Sequence, residues 1–156
     1  MKVVLTVASA LITGLFFNSS AIAEEPAEWL FVHTAASAEM SSDTTLVMPV
    51  TREIFAFTDR PNRLHVYMNP HEFALLWGEG DTFKSDPPNA VLTWFDGDEM
   101  KESEVVITGA SVSVNGRSIS YDVSVEAGTL LPHHQSVGGV SLFIDSTKCL
   151  SCLYLQ

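Results

Sequence analysis

The sequence predicts a mainly β protein, an antiparallel β-sandwich or open barrel with one short helix at about residues 69–78. Short runs alternating apolar and polar residues recur from residue 29 to residue 144, the period-2 signature of strands buried on one face. Asp96-Gly97 and Asn115-Gly116 interrupt the later runs with the dipeptides that two-residue hairpins favour. Only one stretch combines helical spacing with a helix-start signal.

Taken in order, residues 29–34 read as a first strand, with Trp29, Phe31 and His33 on one face and Leu30 and Val32 on the other. Residues 35–43 are small and polar, which predicts a loop. Residues 44–50 form a second β-rich run in which Pro49 suits an edge or a strand end. In 53–57, Ile54 and Ala56 oppose Phe55 and Phe57. Residues 58–63 form a turn: Pro61 fixes φ, and the Asp59 and Asn62 side chains are placed to bond nearby backbone. Residues 64–67 alternate and read as extended.

Asn69-Pro70-His71-Glu72 supplies an N-cap, a proline at the first helical position and an acid in the first turn. Phe73, Leu76 and Trp77 then share one face, and Gly78 and Gly80 end the helix. Pro87-Pro88 makes 81–89 a loop. Beyond it, 90–95, 104–108, 110–114, 117–125 and 140–144 are five expected strands, and Val112, Val114, Ile119, Tyr121, Val123 and Val125 alternate through the second hairpin.

The chain begins with the pattern of an export leader. Met1-Lys2 gives a short basic region, residues 3–17 an uncharged apolar run, and Ala21-Ile22-Ala23 a small-x-small cleavage site. The apolar run falls short of the roughly 20 residues that span a bilayer, and Glu24 and Glu25 follow it. Residues 1–23 are therefore expected to be a signal peptide, 24–145 a single β-rich domain and 146–156 a C-terminal tail, in a protein of the periplasm or exterior. No stable membrane insertion is expected after cleavage. The chain carries 8 basic and 19 acidic side chains, a formal charge of −11. That balance disfavours nucleic acid and anionic lipid as partners.

The segment Phe57-Thr58-Asp59-Arg60-Pro61-Asn62-Arg63, the helix ending at Trp77, Asp86-Pro87-Pro88-Asn89-Ala90, and the glycine-rich lead into Ser141-Leu142-Phe143-Ile144-Asp145 stand in a recognisable order. Together they resemble a widespread family of small exported proteins with a Phe-x-Asp-Arg-Pro-x-Arg turn. The resemblance spans about residues 31–145 and implies one domain. It implies no activity.

Three constellations are candidates for chemistry. Asp59, Arg60 and Arg63 hold the clustered positive charge of an acidic chain, and an Arg fork grips carboxylates bidentately. The competing reading is an Asp-capped turn with an arginine pinned to a neighbouring carboxylate. Cys149 and Cys152 are the two cysteines; in an oxidising compartment a local disulfide is expected, with a metal site or an intermolecular or redox role as alternatives. His133 and His134 could join Cys149 and Cys152 around copper or zinc, although adjacent residues in an extended segment point to opposite sides. Asp96-Gly97-Asp98-Glu99 reads as a hairpin turn rather than a calcium loop. No nucleophile elbow, paired-histidine helix or phosphate loop is present. The expected function is thus a non-catalytic module binding a protein or small-molecule ligand, with no cofactor. A periplasmic metal-binding protein is the alternative, and a hydrolase with an unrecognised site the second alternative.

Overall fold

The computed structural model describes residues 27–79, 81–125, 129, 131–132 and 136–146. Eight antiparallel strands run in the order β1 (Trp29–Ser42), β2 (Thr45–Pro49), β3 (Ile54–Thr58), β4 (His65–Met68), β5 (Asn89–Asp96), β6 (Glu99–Val112), β7 (Ser118–Ser124) and β8 (Ser136–Ser146). The sheet order is β2-β7-β6-β5-β8-β1-β3-β4, and β2 also pairs with β1. That extra pairing closes β1, β2, β7, β6, β5 and β8 into a six-stranded barrel, leaving the β3–β4 hairpin attached to its outside. The fold is mainly β, its described helical structure confined to short segments between β4 and β5, and the barrel is closed.

Strand β1 makes the closure possible. One edge pairs with β8 from Trp29↔Ser146 to Glu39↔Ser136. The other edge takes β3 along residues 29–32 and β2 along 39–42. A closed ring removes the unpaired edges that a sheet would otherwise expose.

Several sequence expectations need correcting. Residues 35–43 are mostly strand rather than loop, because β1 runs to Ser42. Its alternation changes phase: Trp29, Phe31, His33 and Ala35 are buried, then Ala38 and Met40. Strand β8 changes phase beside it, burying Val137 and then Val140, Leu142 and Ile144, with Ala38 registered on Val137. A shared bend in two paired strands therefore looks, in one sequence, like the end of a strand.

Likewise 104–108 and 110–114 belong to one strand, β6. The register with β7 slips between Ile107 and Gly109, so one extra residue bulges. Ser103, Val105 and Ile107 are buried before the slip, whereas Ala110 and Val112 pack against the core after it. A bulge inverts which parity faces inward. The expected loop at 81–89 contains a short helix, α2 (Thr82–Ser85), capped by the Asp81 side chain on Thr82 N–H.

Both hairpin turns occur where expected. Gly97 (φ 64°) and Gly116 (φ 70°) occupy left-handed positions, which favour glycine because it has no Cβ. The expected helix forms as α1 (Pro70–Ala74) continued by a 3-10 turn over Leu75–Trp77. Asn69 caps it, its Oδ1 accepting from His71 N–H at 2.9 Å. Phe73, Leu76 and Trp77 are all buried.

This helical segment packs into the barrel. Phe31 lies 5.6 Å from Phe73 and 5.9 Å from Phe83, ring centre to ring centre. Trp77 lies 5.3 Å from Phe73 and 4.9 Å from Phe83, spacings at which tilted and edge-on aromatic pairs are favourable. The β6 bulge fastens the segment: Ile107 N–H donates to the Pro88 carbonyl, and the Ile107 carbonyl accepts Trp77 Nε1–H at 2.9 Å.

Candidate functional site

Alternation places Phe55 and Phe57 of β3 and His65 and Tyr67 of β4 on the outer face of the hairpin, opposite buried Ile54, Ala56 and Met68. Register brings Phe55 across from Tyr67 and Phe57 across from His65. The Phe55 ring sits 5.1 Å from Tyr67, 5.6 Å from Phe57 in a stacked arrangement, and 6.4 Å from His65. Tyr67 remains 59% exposed. The hairpin thus presents aromatic surface outside the barrel core.

The turn beyond these rings is built from Thr58 to Leu64. Thr58 N–H donates to the Leu64 carbonyl and Arg63 N–H to the Asp59 carbonyl, while Leu64 N–H donates to Thr58 Oγ1 at 2.8 Å. The side-chain oxygen that organises the turn therefore belongs to Thr58, not to Asp59 or Asn62 as the sequence suggested. Arg60-Pro61 is cis, and Arg63 has φ 54°. For a residue with a Cβ the left-handed region costs roughly 1–2 kcal/mol. Such strain concentrates at functional positions.

Arg60 and Arg63, both exposed, border an open depression of about 640 Å³ whose walls include Phe55, Phe57, Leu64 and His65. Among the described residues the ion pairs are Lys84–Glu79 and Lys101–Glu99. Neither arginine takes part in one. Among the described residues no carboxylate therefore pins either arginine, as the competing reading would have it.

A larger groove of about 780 Å³ adjoins the depression, sharing Phe57 and Asp59 with it. It lies where β1 and β5 begin and β7 and β8 end. Its apolar lining includes Leu30, Phe57, Val91 and Phe143, outward-facing residues of β1, β3, β5 and β8. Register aligns Leu30 with Phe57 and Val91 with Phe143. Glu28, Asp59, Glu104 and Asp145 also line it, and among the described residues no lysine or arginine does. Sequence reasoning did not single out this groove. Its available signal was apolar residues on both faces of strands, as in Leu30-Phe31-Val32 and Leu142-Phe143-Ile144.

Inside the barrel, His33 is 2% exposed and engages both ring nitrogens. Nε2 lies 3.1 Å from the Pro49 carbonyl and Nδ1 2.8 Å from the Tyr121 hydroxyl. A carbonyl accepts only, so Nε2 carries the proton and Nδ1 accepts from the Tyr121 O–H. Burial lowers the His33 pKa from 6.5 to about 4, against the raising effect of the Pro49 bond, and burial pushes the Tyr121 phenol well up. The pair is neutral, satisfied and sealed from solvent.

The metal-ligand candidates His133 and His134, the cysteines Cys149 and Cys152, and the leader at 1–23 lie outside the described residues. Among the described residues there is no cluster of three or more His, Cys, Asp or Glu able to hold a metal ion, and no helix long and apolar enough to cross a membrane. No family model, no curated protein and no solved structure matches the chain.

Proposed function

We propose that this chain is an exported, non-catalytic binding module whose Asp59–Arg63 turn grips an anionic group on a ligand with an apolar body. One observation supports the reading above all. Two exposed arginines without ion-pair partners among the described residues border a depression walled by Phe55, Phe57 and His65. The guanidinium forks supply bidentate donors for a carboxylate or similar anion, and the rings supply a face for a flat apolar body. Asp59 takes part through its backbone carbonyl, which holds Arg63 in place.

The test uses 2-naphthoate and its uncharged analogue 2-naphthamide, followed by backbone amide shifts. Naphthoate is expected to shift residues 57–65, and the pair Arg60→Gln with Arg63→Gly to weaken it at least tenfold. Arg63→Gly relieves the left-handed strain, so its melting temperature is expected to hold or rise. Equal binding of naphthamide would remove the anion from the reading. No shift with either compound would remove the turn.

Export and a Cys149–Cys152 disulfide belong to the same proposal, supported by the leader pattern and by cysteines limited to that pair. The intact mass of the secreted protein is expected to start at Glu24 and to lie two hydrogen atoms below the reduced chain. A metal ion retained with both thiols reduced would favour the metal-binding reading instead.

A further inference from the structure

We propose that the groove at the end of the barrel docks an extended peptide segment in which apolar and basic residues alternate. This goes beyond the anion reading of the arginine turn, since it shares only Phe57 and Asp59 with that site, uses neither arginine and rests on the opposite charge.

The floor supplies the first part of the argument. Leu30, Phe57, Val91 and Phe143 come from four strands and make an apolar lining on the outside of a barrel whose interior is already filled. Val91 is 36% exposed. An outward apolar surface of this kind marks an interaction site more often than a bare surface.

Charge supplies the second. Among the described residues the groove is lined by four carboxylates and no cation, and none of the four has an ion pair there. They are strung out along the sheet rather than gathered at a point. Asp59 follows β3, Glu28 precedes β1, Asp145 is on β8 and Glu104 on β6, in the order in which those strands lie. A single small cation satisfies one such group, whereas a row calls for several charges at intervals.

Spacing supplies the third. Neighbouring strands stand about 4.8 Å apart, so carboxylates on adjacent or next-but-one strands are separated by roughly 5–10 Å across the sheet. Side chains on one face of an extended peptide repeat every ~6.8 Å, within that range. Apolar side chains at alternate positions can therefore face the floor, while the long basic side chains between them bend back on flexible stems to carboxylates one to two strands apart. A second copy of this chain is a poorer occupant, because it too carries a net charge of −11 and would bring acid to acid.

The experiment titrates the full chain with three capped heptapeptides: alternating Lys and Leu, alternating Lys and Ser, and alternating Glu and Leu. Calorimetry is expected to show one-to-one, salt-sensitive binding of the Lys-Leu peptide and at least tenfold weaker binding of the other two. Glu104→Lys with Asp145→Lys, both at exposed positions, is expected to weaken the Lys-Leu peptide at least tenfold, whereas Arg60→Gln with Arg63→Gly leaves it unchanged. Equal binding of Lys-Ser would reduce the effect to bulk attraction and overturn the groove. Equal binding of Glu-Leu would overturn the charge assignment. Unchanged binding to the charge-reversed variant would place the peptide elsewhere. A chain that sediments as a dimer and binds no peptide would give the face to a second copy. Only the peptide panel bears on this proposal, and only the naphthoate pair on the arginine turn, so either can fail alone.

Discussion

His33 carries a consequence for pH. Its folded pKa of about 4 lies below the ordinary 6.5, so the unfolded chain takes up a proton at a higher pH than the folded one. The stability this imidazole contributes is complete above pH 6.5 and is lost as pH falls from 6.5 toward 4. At about 1.4 kcal/mol per pKa unit, the loss is on the order of 3 kcal/mol. Protonation would also put a hydrogen on Nδ1, where the Tyr121 O–H now donates. Melting curves from pH 7 to pH 4.5 are expected to fall more steeply for the wild type than for His33→Gln. Parallel curves would show that the buried imidazole is not what titrates. The same strand also shows how far a single residue can be read. Alternation sets His33 on one face with Trp29 and Phe31, but its partners Tyr121 and Pro49 lie 88 and 16 residues away and no local pattern announces them.

Turns and caps were the most legible features, because their chemistry is local. Asn69 capping the helix and glycine at positions 97 and 116 follow from one residue's side chain or from its lack of one. Bends and bulges were the least legible. Alternation reports a face only while the phase holds, and the phase changes within β1, β6 and β8. Gly139 sits at one such place, with φ 54°, in β8 beside the slip between Thr93 and Phe95. A Cβ there would lie 2.8 Å from Phe95 Cδ2, whereas a Cβ on Gly97 (φ 64°) would meet nothing within 4 Å. Gly97→Ala is therefore expected to cost only the backbone term, about 1 kcal/mol. Gly139→Ala should lose clearly more, since the Phe95 ring must also move. Urea midpoints of the two variants measure the difference, and equal losses would show that the ring yields freely. The groove was illegible for a related reason: its lining joins strands that are distant in sequence, and each outward apolar residue looks ordinary on its own.

Closure divides the molecule into two parts of unequal security. Each of the six ring strands has neighbours on both sides, whereas β4 pairs with β3 alone among the described residues. The hairpin buries Ile54, Ala56 and Met68, yet its opening leaves the ring's own ladders intact. Hydrogen exchange of residues 54–58 and 65–68 is therefore expected through a lower-energy opening than exchange in 90–94 and 140–144. Uniform protection would show that hairpin and ring unfold as one unit. Such a division suits a module that recognises partners on its outer face, since the hairpin can adjust without loosening the core.

The Trp29↔Ser146 pairing has a mechanical meaning as well. It sets the start of β1 and the end of β8 side by side at one end of the same ladder. Tension applied between those two points does not load the β1–β8 hydrogen bonds together, as shear between opposite ends would. It peels them in turn, beginning at Trp29 and Ser146 and moving toward Glu39 and Ser136. The closed ring would thus yield to a pull like a zipper, one rung at a time.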